Sequence, residues 1–204
     1  STTASNLAFV LKAMKVAANF YMSRLQVYPL SSLQAPGLCV DYTPSINDQT
    51  YGIGASDLHI YVLYVTDKSI TYGATGRSCL KYGQGGTPPD SMLQLMRPIM
   101  GRIIFNTYTL VDTQASLTNV LFQSVTATAL HETLHILGFD SSLYAYWLIS
   151  DANSASYGNV YTNPKIQVTV NAGRPAPTYF LTTPAVTAFA QTFFRCPSLV
   201  GMPL

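Results

Sequence analysis

The sequence predicts an α+β domain, and three features carry that prediction. Apolar residues recur at helical spacing over residues 6–25. A second amphipathic stretch follows from 117 to 137. Two runs rich in Val, Ile and Tyr lie between them and suit strands of one sheet packed on the two helices.

The elements follow in chain order. Over residues 6–25, Leu7, Val10, Leu11, Met14, Ala17, Tyr21 and Leu25 make one helical face, with Ser5 as N-cap. Pro and Gly in "VYPLSSLQAPG" end that helix. The run "DLHIYVLYVTD", 57–67, reads as a strand. The Gly/Pro-rich "TYGATGRSCLKYGQGGTPPD" reads as loop. A second strand spans 97–111, where Pro98 and Gly101 suit a sheet edge. Ser116 caps a helix from Leu117 to Leu137, with Leu117, Val120, Leu121, Val125, Ala127 and Leu134 on one broad face and Gly138 as its left-handed stop. Residues 148–180 are irregular apart from the strand-like "KIQVTV". Thr183 and Pro184 then open a short helix that places Val186, Phe189, Ala190 and Phe193 on one side. No clean domain boundary is visible; the loop-rich region after Asp140 is the best candidate for a change of subdomain, dividing the chain into 1–140 and 141–204.

Composition excludes some partners. Only 10% of the 204 residues are charged, the net charge is +2, and no basic run exists, which argues against nucleic acid. No uninterrupted apolar run approaches the roughly 20 residues of a membrane span. The chain opens at Ser1 without Met, which reads as a mature form with its targeting segment removed. Cys39, Cys79 and Cys196 leave an odd count: either one pair plus a cysteine bonded elsewhere, or three free thiols.

The chemistry concentrates in "TALHETLHILGFD", Thr128–Asp140. One helical turn separates His131 from His135, so both imidazoles can reach one zinc ion. Glu132 lies about 100° round the helix and cannot be a third ligand from that face, yet it can act as general base towards a metal-activated water. It is also the only glutamate in the chain. The alternative is a helix with two packed histidines and a surface carboxylate. Within this chain the zinc site is incomplete: Ser141 stands where the compact pattern HExxHxxGxxH has its third histidine, and His59 lies in a strand.

These residues resemble the leishmanolysin family of metzincin metallopeptidases. "HETLHILGF", "DLHIYVLYVTD", "RPIMGRIIFN" and "FFRCPSLVGMPL" are similar to segments of that family in the same order, over roughly residues 7–204. The resemblance implies a metzincin-like twisted mixed sheet with an N-terminal helix and an active-site helix. It implies Zn2+ held by His131 and His135, Glu132 as catalytic base, and a third histidine from sequence beyond this chain. A Cys39–Cys79 pair, with Cys196 bonded to that further sequence, is implied as well, as is an extracellular or cell-surface location. The expected substrate is a peptide or protein laid along an edge strand, for which "MGRIIFNTY" is the candidate. The competing reading is a structural or adhesive surface protein on the same fold, capable of self-assembly; its low charge and 14 tyrosines suit that role.

Overall fold

The computed structural model describes residues 2–25, 27, 30, 32–54, 56–81, 97–110, 119–147, 149, 165–168 and 178–203. The chain divides into two compact units, Ser1–Phe139 and Asp140–Leu204.

In the first unit, α1 spans Thr2–Met22 and α2 spans Ile46–Thr50. Strand β1 is His59–Val65, β2 is Ala74–Lys81 and β3 is Pro98–Asn106. A single helical turn, α3, covers Thr107–Leu110, and α4 runs Asn119–Ile136. The sheet order is β1-β3-β2, with β1 parallel and β2 antiparallel to β3. This is a small mixed α+β arrangement.

Two apolar layers hold it. On one face, Val10, Ala13, Met14 and Ala17 of α1 meet Val125, Ala129 and Ile136 of α4 over Ile103 and Phe105, with Ile60 and Val62 packed against them. On the other, Leu30, Leu33 and Ala35 cover Ile99 and Met100, with Tyr61 and Leu80 at the margin. The alternation Ile60-in, Tyr61-out, Val62-in is the period-two signature of a strand between two layers. A disulfide joins Cys39 to Cys79 and ties the covering segment to β2. Arg102, 3% exposed, forks onto both carboxylate oxygens of Asp41 at 2.6 and 2.8 Å.

Three sequence expectations are corrected here. Residues 74–81, expected as loop, form β2. Their glycine content signals close approach of a neighbouring element rather than a turn. Strand β3 is central, not an edge: it pairs on both sides, and Pro98 is tolerated because it is the first strand residue. Helix α1 contains Ser5 instead of being capped by it. Its buried stripe is also narrower than expected, since Leu11 and Leu25 stay 48% and 45% exposed. The expected cap Ser116 lies outside the described residues.

The second unit holds a 3-10 turn at Tyr144–Tyr146, strands β4 (Lys165–Val168), β5 (Thr178–Leu181) and β6 (Met202–Pro203), and helix α5 (Pro184–Phe193). Its sheet order is β4-β5-β6, antiparallel throughout. Thr183 and Pro184 begin α5 as the sequence suggests, but of its apolar residues only Ala190 is buried. Phe189 and Phe193 stack on each other at 57% and 66% exposure.

Candidate active site

Helix α4 carries the HETLH residues. Its buried line is Val125, Ala129, Glu132, Thr133 and Ile136, which repeats at helical spacing. Val120 and Ala127, expected on that face, are exposed. His131 and His135 therefore flank the buried line on the open side, while Glu132 points inward and is 8% exposed.

Two glycines let the helix lie this close to the sheet. A Cβ at Gly76 would collide with the main-chain carbonyl of Glu132. At Gly101 it would come within 2.6 Å of Ile136 Cγ2. The close approach gives Glu132 a partner: the Gly76 N–H donates to its Oε2 at 2.6 Å. Among the described residues, the other carboxylate oxygen makes no hydrogen bond. On the far side of α4, the Tyr21 hydroxyl of α1 donates to the Leu130 carbonyl at 2.9 Å.

The end of α4 orients His135. Gly138, at φ 126°, turns the chain, and the Phe139 and Gly138 N–H groups return to the Leu134 and His135 carbonyls at 3.1 and 3.2 Å. This is a Schellman closure. It aims the Phe139 carbonyl at His135 Nδ1, 2.7 Å away. A carbonyl only accepts, so Nδ1 carries the proton and the neutral ring presents its Nε2 lone pair. That Nε2 lies 3.0 Å from His131 Nε2, with the rings edge to face.

Two donors at about 2.0–2.1 Å from a tetrahedral zinc ion sit about 3.3 Å apart. The histidine pair is close to that spacing, with one tautomer already set by a backbone acceptor, the usual support for a ligating imidazole. The donor set fits zinc as far as it goes. Among the described residues, no group of three or more His, Cys, Asp or Glu is gathered at one place. His59 does not join: its ring meets Tyr61 edge to face, centroids 4.6 Å apart, and Tyr61 packs on the sheet face opposite α4. There burial lowers its pKa, partly offset by Asp48.

Beside Glu132 opens a cleft of about 480 Å³. Tyr72, Gly73 and Ala74 form its sheet-side wall, Ser124, Ala127 and Thr128 its helix-side wall, and His131 and Glu132 its end. Its wall includes the first residue of β2, a sheet edge, so the predicted substrate role of "MGRIIFNTY" is not supported: β3 has no free edge. The sequence reading missed Gly76 and the cleft walls. Gly76 was hidden in a glycine-rich run that looks like loop.

Comparison with known proteins bears on this geometry. The family model described as Leishmanolysin matches residues 6–204. A Xenopus laevis protein named ciliated left-right organizer metallopeptidase is 44% identical over 62 residues, which is 30% of this chain and 8% of that protein. The match thus spans a small part of that relative's length.

Proposed function

This chain belongs to the leishmanolysin family, and from that premise we propose that it forms the helix-bearing part of a zinc-dependent metalloendopeptidase active site. The observation that carries the reading is the pair of Nε2 atoms 3.0 Å apart beside a buried, singly held Glu132 carboxylate. His131 and His135 would hold the ion through these nitrogens. When bound, zinc supplies Lewis acidity and lowers the pKa of a water to about 7.

Glu132 does the proton work. Gly76 N–H fixes Oε2, so the other oxygen faces its task in one orientation. It accepts the proton of the attacking water and passes it to the nitrogen of the leaving amine. His135 keeps its metal-facing lone pair because Phe139 holds the Nδ1 proton. The peptide would extend along the outer edge of β2, near Ala74, which lines the cleft. Main-chain hydrogen bonds would then supply affinity and the cleft a place for one side chain. As family membership implies, the third zinc donor is proposed to come from sequence outside residues 1–204; among the described residues none joins the pair. The Cys39–Cys79 disulfide supports an extracellular or cell-surface setting. Among the described residues, no helix is long and apolar enough to cross a membrane.

The test is Glu132→Gln in the full-length protein. Zinc content should stay at wild-type level while peptide cleavage falls by about 10²-fold or more. A wild-type protein that binds no zinc would end this reading and leave the structural or adhesive role.

A further inference from the structure

We infer that Asn106 is a positioning residue that holds the sheet-side wall of the cleft in place for a substrate side chain. This rests on the peptidase reading above and extends it to a residue with no part in the chemistry.

The two walls are held differently. The helix side belongs to α4, anchored by the buried Val125 and Ala129. The sheet side is the end of the connection between β1 and β2, residues 66–73. Thr66, Lys68, Ser69, Thr71 and Tyr72 of that connection are exposed, and none of its residues is buried. An apolar anchor is missing, so polar bonds must set its course.

Asn106, fully buried at the end of β3, provides them. Its Nδ2 donates to the Asp67 carbonyl at 2.9 Å and the Ile70 carbonyl at 3.0 Å. Its Oδ1 accepts from the Asp67 and Tyr108 N–H groups, both at 3.2 Å. Its own N–H donates to the Gly73 carbonyl at 2.8 Å. One side chain thus uses both amide donors and its acceptor, four bonds, and three of them go to the connection. Next to it, the single hydroxyl proton of Thr109 is shared between the Tyr72 carbonyl at 3.0 Å and the Asn106 carbonyl at 3.1 Å, linking the wall to the strand end. Tyr72 and Gly73 are wall residues of the cleft. The chain of bonds therefore runs from the strand end, through the connection, to the surface a substrate side chain would touch.

An amide is required. Asn106→Asp keeps the shape but turns a donor into an acceptor facing two carbonyls, and a buried polar group so mismatched repels its neighbours. Distortion should reach the wall without reaching His131 or Glu132, because α4 is held by its own core. The expected signature is weaker binding of substrates that fill the cleft, with the chemical step untouched.

The experiment uses full-length, zinc-loaded protein and peptides carrying Phe or Gly at each position flanking the scissile bond. Wild type should favour Phe at one of them. Asn106→Asp should raise KM for that Phe peptide about tenfold, the scale of one buried hydrogen bond. The Gly peptide's KM, kcat and zinc content should remain within about twofold. Thr109→Val, at an exposed residue whose loss leaves the core intact, should raise the same KM about threefold. Should the aspartate variant fail to fold, Thr109→Val decides alone. Variants that match wild type, that lose kcat instead of KM, or that affect both peptides equally overturn the inference, as does a wild type indifferent to Phe. A wild type that cleaves no peptide at all overturns the peptidase reading itself, a distinct result.

Discussion

His135 is constrained at both ring nitrogens, by the Phe139 carbonyl at Nδ1 and by His131 at Nε2. His59 shows the opposite condition: it sits against Tyr61, where burial disfavours its charged form. The two environments separate an imidazole whose Nδ1 is held by a backbone carbonyl from one packed edge-on against a tyrosine within a single small unit. They also set a pH dependence. Because the folded pKa of His59 is depressed, the unfolded chain takes up a proton before the folded one does. Its contribution to stability is therefore complete above the unfolded pKa, about 6.5, and declines as pH falls below it. Denaturant unfolding between pH 7.5 and 5 should show a shallower loss of stability in His59→Phe than in wild type. Identical slopes would show that His59 is not a group that titrates differently on folding.

Helix α4 and strand β2 are the elements that make the site, and their contact depends on missing side chains. Gly76 and Gly101 let the helix approach until Glu132 Oε2 meets a strand N–H. Gly101→Ala would push its methyl into Ile136 and cost about 1–3 kcal/mol by overpacking. Thermal or denaturant unfolding reads this directly, and an unchanged midpoint would contradict so tight a contact. The same contact limited what could be read from sequence. The existence and extent of α4 were legible because apolar periodicity and Gly138 bracket it. Its orientation was not: the buried line contains Glu132 and Thr133, residues that a hydrophobic pattern assigns to solvent. Strand β2 was hidden for a related reason, since the glycine that admits the helix removes the β-forming signal. Strand β3 was legible as a strand and misjudged as an edge, because Pro98 falls at its first residue and Gly101 faces Ile136. The HETLH chemistry stood out by spacing, whereas nothing in the sequence reading singled out Asn106.

For the whole molecule, the covalent tie between Cys39 and Cys79 closes a loop with a sequence separation of 40. By chain entropy a crosslink of that span is worth about 4 kcal/mol. The double variant Cys39→Ser/Cys79→Ser should unfold at correspondingly lower denaturant, and wild type under reducing conditions should move towards it. Equal stability of the oxidised and reduced forms would show that the bridge constrains nothing. Low charge, the disulfide and family membership together fit a protein working in an oxidising, extracellular setting. The account depends on the two histidines gripping a metal. The most direct measurement is a crystal of the full-length, zinc-loaded protein, recorded on both sides of the zinc absorption edge. A single anomalous peak about 2.0–2.1 Å from Nε2 of both His131 and His135 is the predicted result; a map without density between those nitrogens, or with zinc bound elsewhere, would contradict it.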